Sequence, residues 1–168
     1  RMKGILIDIA SPGGLMQIGS MDRVVILGAS RGLGAELVKT VCEAGYPVTG
    51  FGRKAKNLAA LKDRYPLFDY IVCDFSTRHG QDEALRYVLE QPLSRVVCMA
   101  GGGPHGLFHE REWKDHQWAG EVSGVGPARG AHGLRVAGSD TPLVFIGSAI
   151  AESTADPKAA SYCASKHA

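Results

Sequence analysis

The sequence predicts a three-layer α/β domain built on a doubly wound parallel sheet, and three observations carry that prediction. Short, wholly apolar runs such as Val24-Val25-Ile26-Leu27 mark strands buried on both faces, stretches with apolar residues at helical spacing separate them, and the two alternate from Arg23 onward. With 168 residues the chain holds material for one domain. A composition of 45% hydrophobic and 21% charged residues, with a net charge of +2, is that of a globular protein and argues against disorder or polyanion binding.

Residues 1–21 read as a leader or expression remnant and residues 22–168 as the domain, because a Gly/Pro break at Ser11-Pro12-Gly13-Gly14 precedes Met21-Asp22 and the first strong strand. An extra edge strand over Ile5 to Ile9 is the competing reading. Val24 to Leu27 then forms a strand, and Leu33, Leu37, Val38 and Val41 recur at helical spacing until Gly45 and Pro47 stop them. Pro47 to Phe51 predicts a second strand, Asn57 to Arg64 a helix, Phe68 to Val72 a third strand, Gln81 to Glu90 a helix and Arg95 to Ala100 a fourth strand. A helix is expected from Trp113 to about Leu134, but Gly120, Gly124, Gly126, Pro127, Gly130 and Gly133 encode it weakly, each glycine costing up to ~1 kcal/mol against alanine. Leu143 to Ile146 gives a fifth strand, and Pro157 opens a last helix.

Cys42, Cys73, Cys98 and Cys163 are widely spaced and form no metal-binding pair, so they read as buried thiols in a reducing, cytoplasmic setting. No apolar run approaches the ~20 residues needed to cross a bilayer, and neither a signal peptide nor a membrane partner is expected. The spacing of His105, His109, His116 and His132 fits no zinc signature, so no metal is expected. Trp113 and Trp118 lack an accompanying basic stripe and read as packing or rim residues, with no nucleic-acid partner expected.

Gly28-Ala29-Ser30-Arg31-Gly32-Leu33-Gly34 follows a buried strand and opens a helix. Glycines there permit a tight turn and close approach of the backbone to a pyrophosphate, and free N–H groups at the helix start favour negative charge. The spacing, G-x-x-x-G-x-G, is neither the Walker pattern nor G-x-G-x-x-G; a plain glycine turn without a ligand stands as the alternative. Near the end of the chain, Tyr162 and Lys166 lie four residues apart and so share one helix face. A phenol, with an ordinary pKa of ~10, exchanges protons poorly near neutrality, and a neighbouring ammonium favours its phenolate.

These residues resemble the short-chain dehydrogenase/reductase family, of the classical type that carries this glycine spacing, and the resemblance runs from Arg23 to Ala168. It implies a Rossmann-type sheet. Gly28, Ser30, Arg31, Gly32, Leu33 and Gly34 would cradle the cofactor; Asp74, with Phe75, matches the acid that bonds the adenine; and Ala100-Gly101 resemble the family's Asn-Ala-Gly segment, with Met99 where asparagine is usual. Ser148 is similar to the family's catalytic serine that holds the substrate oxygen, and Tyr162 to the residue that exchanges its proton. Lys166 is similar to the lysine that assists the tyrosine and binds the nicotinamide ribose. Ser123 falls near the position of a fourth catalytic residue, normally asparagine, that supports a proton relay.

An NAD site wants a carboxylate after the second strand, whereas NADP brings a 2′-phosphate that guanidinium groups hold. That strand ends Thr49-Gly50-Phe51-Gly52-Arg53-Lys54 without an acid, and Arg31 lies in the glycine turn, so NADP is expected in preference to NAD. The resemblance thus implies an oxidoreductase interconverting a secondary alcohol and a ketone or aldehyde, with a small-molecule substrate, and a homo-oligomer. It also implies truncation after Ala168, lacking the last strands and leaving an apolar sheet edge. The alternatives are a catalytically inactive cofactor-binding fragment or structural partner, and, more remotely, an epimerase or dehydratase.

Overall fold

The computed structural model describes residues 23–152 and 156–167. The leader and the competing edge strand at Ile5 to Ile9 lie outside the described residues. Five strands, β1 (Arg23–Leu27), β2 (Val48–Gly52), β3 (Phe68–Val72), β4 (Leu93–Cys98) and β5 (Leu143–Phe145), form one parallel sheet in the order β3-β2-β1-β4-β5. Between them run α1 (Gly32–Glu43), α2 (Ala55–Arg64), α3 (Arg78–Glu90), α4 (Trp113–Gly120) and α5 (Gly126–Val136), followed after β5 by α6 (Ala149–Glu152) and α7 (Ala160–His167).

The central strand explains why its run is apolar throughout. Val24 and Ile26 face one core with Val38 and Val41 of α1 and Leu58 of α2; Val25 and Leu27 face the other with Ala84 and Val88 of α3 and Leu134 of α5. Alternate side chains of one strand thus enter opposite layers. The strand order reverses at β1, with β2 on one side and β4 on the other, so a crevice opens at the carboxyl ends of those strands.

The glycine-rich helix is present and longer than expected, and it is not a plain α-helix. Between α4 and α5 the chain takes one π-helical turn over Glu121–Val125, closed by Gly126 N–H donating to the Glu121 carbonyl. Pro127 has no N–H with which to continue the α-helical ladder, which gives a physical reason for the wider turn. The glycines are explained by packing. A Cβ on Gly133 would lie 2.5 Å from Leu85 Cδ2, and one on Gly126 2.9 Å from Gln81 Nε2, so these positions let α5 approach α3 closely. Tertiary contact outweighs the poor local propensity.

All four cysteines are buried free thiols. Burial pushes Cys42, Cys73 and Cys98 from 9.0 up to about 11; the carboxylates of Glu43 beside Cys42, and of Glu83 and Asp74 beside Cys73, push the same way, while the Lys166 ammonium pulls Cys98 back. Because the folded values lie above the unfolded ones, the stabilisation is complete below about pH 9 and is lost as pH rises toward about 11. The native protein is expected to resist a thiol reagent at pH 8 and to react fully in guanidinium, with a thermal midpoint lower at pH 10 than at pH 7. Rapid native labelling of these three thiols would contradict this account.

Candidate active site

The cleft begins at Gly28, where β1 ends. Its φ of +94° suits glycine, and a Cβ there would sit 2.6 Å from the Ala100 nitrogen at the end of β4. The turn is fixed to β2 by Gly28 and Ala29 N–H groups, both donating to the Phe51 carbonyl at 2.8 and 2.9 Å. α1 then starts with Arg31 in the capping position, extended and without a side-chain cap hydrogen bond. The first-turn N–H groups of a twelve-residue helix thus lack the acceptor that Ser, Thr or Asp normally supplies. Such an end attracts an anion.

Around this helix start lies a cleft of about 320 Å³. Each predicted cofactor residue of the first four strand ends lines it: Gly28, Ser30, Arg31, Gly32, Leu33, Gly34, Arg53, Asp74, Phe75, Ala100 and Gly101. Leu33 is exposed at 72%, which for an apolar residue inside a cleft leaves its surface available to a ligand. The Asp74 carboxylate is shaped by its own turn: Oδ1 accepts from Ser76 N and Oγ at 3.0 and 2.6 Å. Its Oδ2 lies 3.9 Å from Arg53 Nη1.

Lys166 and Ser123 meet at Gly101, and Tyr162 lies against Gly103. A Cβ on Gly101 would be 3.3 Å from Lys166 Nζ and 3.6 Å from Ser123 Oγ, and one on Gly103 would be 2.7 Å from Tyr162 Cβ. Lys166 Nζ donates to the Ile146 carbonyl at 2.7 Å, tying α7 to the end of β5, and Ser148 follows two residues later. The turn at Gly28 and the pair on α7 are therefore joined through the short segment Ala100 to Gly103. Among the described residues the hydroxyls of Ser148 and Tyr162 make no hydrogen bond.

Ser123 sits in the π-helical turn, buried. Its Oγ donates to the Gly102 carbonyl and accepts from Gly102 N–H, both at 3.0 Å. The wide turn thereby pins the loop after β4. His116 plays a similar part nearer Tyr162. Its Nε2 donates to the Phe108 carbonyl at 3.0 Å, and its Nδ1 is hydrogen-bonded to the Ser161 hydroxyl at 2.6 Å. That bond holds α7 against α4, and the ring stacks on Phe108 at 4.2 Å.

Sequence reasoning weighed His116 only as a metal ligand and Trp118 only as packing or rim. Trp118 and Val122 both line the cleft, and their i, i+4 spacing on one helix face was the available signal. Trp113, by contrast, is 66% exposed. Among the described residues no group of three or more His, Cys, Asp or Glu could hold a metal ion, and no helix is long and apolar enough to cross a membrane.

The short chain dehydrogenase family model matches residues 22–168. Among solved structures, the chain is similar to a bulky-bulky ketone specific alcohol dehydrogenase from Comamonas testosteroni, with 20% identity and a TM-score of 0.78 over 89% of this chain and 62% of that one. A short-chain dehydrogenase/reductase from Vibrio parahaemolyticus shares 27% identity, with a TM-score of 0.75 over 86% of this chain and 64% of that one. A short-chain dehydrogenase from Sphingobium yanoikuyae, solved in complex with NADPH, shares 19%, with a TM-score of 0.76 over 88% and 61%. The chain thus spans less than two thirds of the length of these three structures. No protein of curated function matches its sequence. The glycine turn, the sheet order and a family match over nearly the whole chain lead to one conclusion: the chain belongs to the short-chain dehydrogenase/reductase family.

Proposed function

We propose that this protein is an NADP(H)-dependent oxidoreductase that interconverts a secondary alcohol and a ketone or aldehyde. The observation that carries the reading is the uncapped start of α1, opening into a cleft that two arginines share and whose wall at Gly101 lies beside Lys166. The cleft fits a dinucleotide: the α1 N–H groups suit a diphosphate, nothing lies within 4 Å of a Cβ on Gly32, and Arg31 and Arg53 suit a 2′-phosphate. Asp74 and Phe75 would hold the adenine end, and Lys166 the nicotinamide ribose. When bound, the cofactor supplies or takes the hydride.

In this reading Ser148 donates to the substrate oxygen and orients it, and Tyr162 passes its proton to that oxygen during reduction and recovers it during oxidation. The Lys166 ammonium, on the same helix as Tyr162, is held by the Ile146 carbonyl. His116 and Ser161 keep the helix carrying both residues against α4.

The test is a pair of titrations followed by thermal melting and binding calorimetry. NADPH is expected to bind at least about tenfold tighter than NADH and to raise the melting midpoint more, one tenfold step being about 1.4 kcal/mol. Equal responses would defeat the phosphate argument. A second reading, cofactor binding without turnover, is favoured by Ser123, whose hydroxyl is engaged on both its donor and acceptor sides by Gly102. NADPH binding with no turnover on a broad carbonyl panel would select it.

A further inference from the structure

Arg53, just past β2, and Trp118, on α4, meet across the cleft. The guanidinium lies over the indole face, 5.2 Å from the ring centroid. The indole is fixed from behind, since a Cβ on Gly102 would come within 2.7 Å of its Cη2. Its Nε1 is buried with no acceptor among the described residues, a cost that a leucine or phenylalanine filling the same space would avoid. What the larger ring provides in return is a flat, fixed surface for a cation.

That surface competes with Asp74. Arg53 Nη1 stands 3.9 Å from Asp74 Oδ2, outside hydrogen-bond length, and both side chains are nearly half exposed, so this ion pair is weak as it stands. Without the indole, the long arginine side chain loses the ring it rests on and is drawn toward the carboxylate. A guanidinium closed on Asp74 has its charge and its N–H groups already used.

We propose that Trp118 is a specificity-determining positioning residue: by stacking under Arg53 it keeps the guanidinium off Asp74 and available to a ribose 2′-phosphate, without touching that phosphate itself. The proposal rests on the NADP(H) reading above and adds the residue that enforces it.

The experiment titrates the full chain with 2′,5′-ADP and with 5′-AMP, which differ only in the 2′-phosphate, and follows the ratio of their affinities. Trp118→Leu is expected to lower that ratio by about two- to fivefold, and Trp118→Tyr to restore most of it. Arg53→Ala should collapse the ratio, and adding Trp118→Leu to it should change nothing further. A ratio unchanged in Trp118→Leu, an equal weakening of both ligands, or tighter binding of 2′,5′-ADP would overturn the proposal while leaving the NADP(H) reading intact. A wild type that binds both ligands equally would instead remove the NADP(H) reading itself. If Trp118→Leu does not fold, the cycle is run with Trp118→Met, which also lacks an aromatic face, and absence of coupling between that substitution and Arg53→Ala overturns the proposal.

Discussion

Tyr162→Phe is expected to lower NADPH-linked carbonyl reduction by about 10²- to 10⁴-fold, the usual worth of a positioned general acid. NADPH affinity should change by less than about twofold. The two effects separate because the substitution removes one oxygen and leaves the ring in place. The position of that ring is set by backbone packing: Tyr162 Cβ lies so close to Gly103 that a Cβ there would be 2.7 Å away, and the helix is anchored at Lys166 by the Ile146 carbonyl. Steady-state turnover and calorimetry on the same preparation check the expectation. Undiminished turnover in the phenylalanine variant would show that another group exchanges the proton.

Gly34→Ala has the largest expected effect on the fold. A Cβ at this position would sit 2.1 Å from the Gly28 carbonyl oxygen and 2.9 Å from its carbon, and both are backbone atoms that no rotamer change can move. The strand-to-helix turn would have to open, at a cost of about 3 kcal/mol, with the N–H array at the helix start displaced as well. NADPH binding should therefore disappear together with stability. Gly32→Ala separates the two roles. Nothing lies within 4 Å of its Cβ, and the left-handed φ of +57° costs an alanine only about 1–2 kcal/mol, so the fold should survive while the added methyl stands where a diphosphate would approach. Denaturant melts and NADPH titrations of both variants distinguish a glycine needed for packing from one needed for the ligand. A stable, NADPH-binding Gly34→Ala protein would contradict the geometry of the turn.

Much of this architecture was legible because β1 is buried on both faces, which writes the unbroken apolar run Val24 to Leu27 into the sequence. The expected boundaries of β3 match the structure, and the others shift by a few residues at their ends. The glycine-rich helix was harder to read because its glycines serve contacts distant in sequence. Gly126 against Gln81 and Gly133 against Leu85 look like defects until α3 is set beside α5. The π-helical turn was invisible for the same reason, although Pro127 marks its place.

Within the site, residues at strand ends were recognisable from the motif, since one backbone turn dictates several of them at once. Trp118 was not, because its role depends on Arg53 reaching it from another strand end. Ser123 was singled out by position, but only the fold reveals that its hydroxyl is committed to Gly102. His116 likewise needs Phe108 and Ser161 in place before its bridging role exists.

The central claim is that the cleft at the start of α1 holds a dinucleotide whose reactive ring reaches Tyr162. A crystal structure of the NADPH complex tests it most directly. The account predicts the diphosphate on the N–H groups of Gly32 to Gly34, the 2′-phosphate at Arg31 and Arg53, and the nicotinamide beside the Tyr162 hydroxyl. NADPH bound elsewhere, or bound in the cleft with its nicotinamide directed away from Tyr162, would contradict it.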